Sequence, residues 1–433
     1  MKTIKLLSLA ALVVMGAILA GCAKELDVNP VAEDNIVVCT TTVTLDADDT
    51  KALSIVGDKG VKTFAKDEQV ALSYWNTGIN QWDKALSQKL SVTDISADGK
   101  TATLTFTMTN PEANGPIHFC YPAAMANTYG QADYANLNTQ NGTLASLSAN
   151  LDLAKASAYL SGTNLPANVT LINQLAILAI TLKNSDGSSD ITNTITGLTL
   201  SDGTNMYTIS RSASAGPIYV AIQPVDNKNI TITATRGLTK YTKSLTGKTY
   251  EVGNGYNVAW RMELTSLNLK SLSFGQVIGN DGKNYAYASL PTGVTAVAMI
   301  AYVDNGHGLA IAMADENSSK SILWTPAMNA AAAHEPKFSN GTWKIPTQDE
   351  WIQMFRPKPG YANTYLYDTL NSSIYIAQGT RLKYPETYWT STDGGNNTAY
   401  IIGLSEDGVS VSSYTSRTGK EVGGTCARAC LAF

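Results

Sequence analysis

Residues 101–108 read TATLTFTM, from Thr101 to Met108, and every second side chain is apolar. A period of two belongs to a strand with one face in a core and the other in solvent. Moving outward, Asn35 to Leu45 (NIVVCTTTVTL) alternates apolar with small polar residues. Gln69 to Trp75 (QVALSYW) follows the turn residues Ala65-Lys66-Asp67-Glu68, and Ile117 to Tyr121 (IHFCY) stops at Pro122. Short alternating runs bounded by turn chemistry read as strands, so the block from 35 to 121 is all-β in pattern.

A polar loop, Thr128 to Gly142, precedes a second block. Its longest apolar run is Leu171 to Lys183, LINQLAILAITLK. The length would suit a helix, but Asn173-Gln174 near its start and the Ile-Thr-Leu alternation at its end favour a strand. Further strands read at 195–201, 218–223 and 230–235, and YNVAWRMEL (256–264) closes the block after Gly253-Asn254-Gly255.

The third block, from about residue 266, mixes signals. Asn280-Asp281-Gly282 marks a hairpin within 272–286. VTAVAMIAYV (294–303) and GLAIAM (308–313) are continuous apolar runs of buried-strand type, and TPAMNAAAA (325–333) has helical propensity. WKIPTQDEWIQMF (343–355) is a helix start. Thr347 is placed to cap, Glu350 completes a capping box, and Asp349 and Glu350 occupy the first turn, where negative charge is favoured. Residues 388–392 and 399–404 read as strands joined by the Asp393–Thr398 loop, and CARACLAF (426–433) as a final apolar strand.

Composition removes several function classes. The chain has 433 residues, only 15% of them charged, a net charge of −4 and no basic stripe, so nucleic acid is not an expected partner. The three histidines, His118, His307 and His334, have no HExxH spacing, and no GxSxG serine accompanies them. No catalytic residue, metal or cofactor is expected. The acidic residues 46–51 lack the glycine and distal glutamate of a calcium loop and read as a solvated turn. Cys39, Cys120, Cys426 and Cys430 read as buried small hydrophobes, with a Cys39–Cys120 bridge left open.

The N-terminus carries a targeting signal. Lys2 and Lys5 form a basic region and Leu6 to Ile18 an apolar one, too short for the roughly 20 residues that span a bilayer. Leu19-Ala20-Gly21-Cys22 resembles a bacterial lipobox, which implies that residues 1–21 are a lipoprotein signal peptide. Cys22 is then acylated, with palmitate-type chains, and anchored to the outer membrane.

An ordered series of motifs resembles the fimbrillin-like (Mfa-like) lipoproteins of Bacteroidales. These are Thr63-Phe64 with Asp67-Glu68 before VALSYW, HFCYP at 118–122, NGTLASLSA at 141–149, INQLAILAITL, GPIYVAIQP at 216–224 and GYNVAWRMEL. The resemblance covers about residues 30–264 and implies two tandem β-sandwich domains, 22–145 and 146–265. It also implies export as a lipoprotein, trimming near the first strand by a trypsin-like protease, and assembly with other pilus subunits by strand exchange. Thr50-Lys51-Ala52 is similar to the family's Arg-Ala processing site, with lysine for arginine, which makes Lys51 and Ala52 the candidate cut.

IGNDGKNYA, WKIPTQDEW, YWTST and ARACLAF resemble C-terminal modules of Bacteroidales surface lipoproteins related to the Fibrobacter major paralogous domain. This implies a C-type-lectin-like α+β domain over 266–433. The Glu-Pro-Asn and Trp-Asn-Asp motifs of calcium-binding lectins are missing, so calcium-dependent sugar binding does not carry over. Trp343, Trp351 and Trp389 are expected in the core. The expected architecture is mainly β: two fimbrillin-like sandwiches followed by a lectin-like head. The expected function is that of a fimbrial subunit at the cell surface, at the pilus tip, accepting a donor strand and presenting the head for adhesion to a glycan or host surface protein. Asp393, Asn396 and Asn397 are the candidate contacts. The alternative is a surface lipoprotein that binds a glycan or host protein without polymerising.

Overall fold

The computed structural model describes residues 34–45, 55–56, 59–60, 63–355, 366–382, 386–404, 415–421 and 423–433. Residues 1–21, expected as a signal peptide, and Cys22, Lys51 and Ala52 lie outside the described residues. Among the described residues strands account for 46% and helices for 14%, so the fold is mainly β.

The first sheet has seven strands. They are β1 (Ile36–Leu45), β2 (Ala71–Asn76), β3 (Gln81–Leu86), β4 (Thr101–Thr109), β5 (Pro116–Tyr121), β6 (Ala154–Tyr159) and β7 (Asn168–Asn173), in the order β3-β2-β5-β6-β7-β1-β4. The alternation in β4 does what its sequence requires: Ala102, Leu104, Phe106 and Met108 are buried, and none of the threonines between them is. They join Val43, Leu45, Leu72, Tyr74, Ile117, Phe119, Val169 and Leu171 in one core. The ends of the sheet curl towards each other, for Gln88, just past β3, donates through its backbone N–H to the Thr105 carbonyl of β4 at 3.2 Å.

Two features depart from the sequence reading. Leu171 to Lys183 is not one strand: β7 ends at Asn173, and a second strand, Ala176–Lys183, begins in another sheet. The break falls on the amides, where the Asn173 side-chain oxygen accepts from the Leu175 N–H at 3.1 Å and turns the backbone out of the ladder. The first sheet also reaches past the expected boundary at 145/146. Residues 139–140 pair with Met206–Ser210 and Leu147 packs in the second core, after which β6 and β7 return to the first sheet.

The second unit is two sheets over one core. Ile218–Ile222, Ala176–Lys183 and Gly255–Arg261 form one sheet. The other has six strands, built around Val225–Arg236 and Thr239–Tyr250. Leu178, Ile180, Leu182 and Val220 from the first sheet meet Leu198, Leu200, Tyr207, Ile209 and Ile232 from the second.

The third unit has a six-stranded sheet with apolar side chains on both faces. Met299, Ala301, Leu309 and Ile311 pack on one side, with Trp351, Phe355 and Leu370 from two helices. Ala298, Ile300, Ala310 and Ala312 pack on the other, with Ala327 and Ala331 of the helix Trp324–Ala333. Burial on both faces explains why 294–303 and 308–313 are continuously apolar. A four-stranded sheet that includes Thr387–Gly395 and Thr398–Gly403 completes the unit. The C-terminal run is not one strand: Thr425–Cys426 joins the four-stranded sheet and Cys430–Ala432 the six-stranded one. Arg428 between them is fully buried and ion-paired with Asp315, so the chain must bend there to satisfy its charge.

Candidate functional site

One candidate site is built on β1, the strand that precedes Lys51-Ala52 in sequence. It lies inside the first sheet, antiparallel to β4 from Ile36↔Thr109 to Thr44↔Thr101 and parallel to β7 from Thr42↔Asn168 to Leu45↔Leu171. Its period-two pattern sends Cys39, Thr41, Val43 and Leu45 inward, all buried, while Ile36 and Val38 remain 64% and 65% exposed. Burying Val43 and Leu45 contributes about 1.5–3 kcal/mol each. The Thr41 hydroxyl donates to the Pro166 carbonyl at 2.6 Å and the Thr42 N–H to the Ala167 carbonyl at 2.9 Å, which fixes the register against the segment leading into β7.

This strand is held by its two neighbours and by one row of side chains. Withdrawing it would leave the facing N–H and C=O groups of β4 and β7 without partners, over a groove floored by core residues. The sequence marks β1 as a strand. It does not show that the partner of β1 on one side is β7, more than a hundred residues later and parallel.

In the third unit, Asp393, Asn396 and Asn397 come together at the tip of one hairpin. Asn396 and Asn397 have φ of 50° and 59°, the left-handed pair that a two-residue hairpin turn requires, and both are exposed. The Asp393 carboxylate accepts from the Gly395 N–H at 2.8 Å and from the Lys420 ammonium at 2.9 Å. The lysine hydrogen bond, then that from Gly395, holds this carboxyl below its ordinary range. Lys420 also sits 4.4 Å from the Trp324 ring centroid, and its N–H donates to the Asn397 carbonyl at 3.0 Å. The two amide side chains are thus presented on a turn braced from behind by a cation between a carboxylate and an indole. Sequence spacing could not show Lys420 and Trp324 to belong to this tip.

Thr347, Glu350, the three tryptophans and His334 are each engaged in the packing of the third unit. The Thr347 hydroxyl accepts from the Glu350 N–H at 3.1 Å, and a Glu350 oxygen accepts from the Thr347 N–H at 2.8 Å, a closed capping box. Lys344 pairs with the other Glu350 oxygen. Trp343, Trp351 and Trp389 are buried, and their indole N–H groups donate to the carbonyls of Pro336, Trp389 and Ile322. His334 Nδ1 lies 2.8 Å from a Glu316 oxygen and its ring 4.1 Å from that of Trp343.

Cys39, Cys120, Cys426 and Cys430 are free thiols, all buried. Burial, then the nearby Glu350 charge, pushes the Cys430 thiol well up, which leaves it protonated and a poor nucleophile. Among the described residues, no group of three or more His, Cys, Asp or Glu side chains is placed to hold a metal ion.

No protein-family model matches the chain, and no curated protein matches it. Several solved structures are similar to part of it. A candidate cell adhesion protein from Bacteroides ovatus is 12% identical over 53% of this chain and 96% of its own, with a TM-score of 0.29. A fimbrial assembly protein from Parabacteroides distasonis is 10% identical over 56% of this chain and 98% of its own, at 0.28. A candidate cell adhesion protein from Bacteroides fragilis is 13% identical over 51% and 92%, at 0.29. At these scores the likeness carries no argument for fold or function.

Proposed function

We propose that this protein is a cell-surface adhesion subunit of a fimbrium, which accepts a donor strand in place of β1. The observation that carries the reading is the position of β1. It is a first strand set inside a sheet, paired on both sides along its inner half, and followed by a segment that contains Lys51-Ala52. A cut there would free β1 from the rest of the chain and leave a slot that a strand from another subunit fills by the same ladder. The ordered fimbrillin-like motifs and the lipobox at Cys22 support the same route: export as a lipoprotein, trimming, then incorporation.

The strand Cys430–Ala432 is paired on both sides, with His307–Ala312 and with Thr342–Lys344, and so belongs to the core of the third unit. In this reading the third unit is the lectin-like head at the pilus tip, with the hairpin of Asp393, Asn396 and Asn397 facing outward.

Limited digestion of the mature chain with a lysine-specific protease, read by mass spectrometry, tests the processing step. The expected first cut is after Lys51, and Lys51→Gln should abolish it while later cuts remain. First cleavage elsewhere, with 46–54 resistant, would return the reading to a surface protein that does not polymerise.

A further inference from the structure

The outer face of the first sheet carries an arrangement that neither strand exchange nor the hairpin tip uses. Because side chains alternate along each strand, residues that pair across strands share a face. Lys84 of β3 pairs with Ser73 of β2, Ser73 with His118 of β5, and His118 with Ser157 of β6. These four form a polar row across the sheet. Two residues along the same strands, Trp82 pairs with Trp75 and Pro116 with Tyr159, which gives an aromatic row beside the polar one.

The rows are in contact. The rings of Trp75 and Trp82 meet edge to face at 5.9 Å, and Trp82 lies against His118 at 5.3 Å. Tyr159 is 70% exposed.

A loop builds this face into a cleft. Asn127 closes it, its side-chain oxygen accepting from the N–H groups of Tyr129 at 2.9 Å and Gln131 at 3.1 Å. Gly130 has φ of 79°, and a Cβ there would come within 3.0 Å of the Leu72 carbonyl oxygen and the Ser73 nitrogen. Only glycine lets the loop lie this close to β2. Between the loop and the β5–β6 pair is a cleft of about 400 Å³, whose lining includes His118, Gln131, Tyr134, Lys155 and Ser157. That volume is within the range of small-ligand sites.

Its polar groups are only partly engaged. His118 Nδ1 and Ser157 Oγ are 2.8 Å apart, and burial, then the Lys155 charge, lowers the imidazole's pKa, so the ring is neutral near pH 7. The Lys155 ammonium reaches the Tyr134 hydroxyl at 3.4 Å and has no carboxylate partner among the described residues. Lys84 is also without one, its ammonium donating to the Asn127 carbonyl at 3.1 Å. Asp133, the acid of the loop, accepts from the Ala135 N–H at 2.9 Å. Within the row, Ser73 is fully buried and its hydroxyl has no hydrogen-bond partner among the described residues.

We propose that this cleft binds an acidic saccharide, with the carboxylate on Lys155, the hydroxyls on Gln131, Tyr134, His118 and Ser157, and the sugar faces extending onto the Trp75–Trp82 and Tyr159 row. Aromatic rings offer flat apolar area to the C–H face of a pyranose and hydroxyl-rich edges need paired donors and acceptors. A cation with no acid beside it selects the charged sugar over the neutral one. The cleft is separated from the β1 slot by β7, so the proposal stands whether or not the subunit exchanges strands.

Calorimetric titration of the full mature chain with trigalacturonate, maltotriose and inorganic phosphate tests it. Saturable binding of trigalacturonate is expected, with maltotriose at least about tenfold weaker, the scale of one charge-assisted hydrogen bond. Phosphate alone should give no saturable heat. Lys155→Met should weaken trigalacturonate to the maltotriose level, Lys155→Arg should retain it, and His118→Ala should weaken both sugars. Absence of trigalacturonate binding, equal binding of maltotriose or phosphate, or undiminished binding in a folded Lys155→Met variant would overturn the proposal.

Discussion

Arg428 shows how one charge can shape a whole terminus. Its guanidinium is fully buried, pairs with Asp315, and donates to the carbonyls of Ala312 at 3.0 Å and Thr380 at 2.9 Å, tying three segments of the third unit together. Read in sequence, CARACLAF is an apolar strand containing one exception. The exception was the signal, since a buried charge must be paired and a straight strand could not deliver it to Asp315. Asp315→Ala leaves the guanidinium buried without its counter-ion, so a loss of about 3–5 kcal/mol is expected in chemical denaturation of the third unit's transition. A loss under 1 kcal/mol would mean that the pair is dispensable. Asn396 and Asn397 were legible for a different reason: adjacent asparagines between two strands are a turn signal whatever they bind.

Among the elements, those with strong periodicity or cap chemistry were the ones the sequence revealed. The Thr347–Glu350 box forms as its spacing requires, and Thr347→Ala should destabilise the third unit by about 1 kcal/mol in thermal or chemical melts. An unchanged melt would show that burial of Trp351 and Phe355 alone sets that helix. Thr239–Tyr250, TKYTKSLTGKTY, forms a twelve-residue strand that sequence reading missed, because most of it is partly or fully exposed and few of its residues are apolar. β6, AKASAY, was missed because its core-facing residues are alanines, too small to stand out as an apolar stripe. Leu171 to Lys183 reads as one strand because Asn173-Gln174 argue against a helix over that length, yet Asn173 also has the hydrogen bond that ends the strand.

For the molecule as a whole, alternation tells that a segment is a strand and which face is buried, but not which sheet it enters. That is why residues 139–153 join the second unit and 154–173 the first, across the boundary expected at 145/146 from the family resemblance. The same limit hid the parallel partner of β1 and the assembly of the outer-face cleft from β2, β3, β5, β6 and a loop. Whether β1 is replaceable, as proposed, is decided by cutting the mature chain after Lys51, adding a labelled peptide of the sequence 36–45 in excess, and measuring its retention by size-exclusion chromatography. Stoichiometric uptake by the cut chain is expected, with release of the original strand, and none by the uncut chain; a cut chain that keeps its own β1 and takes up no peptide would rule strand replacement out.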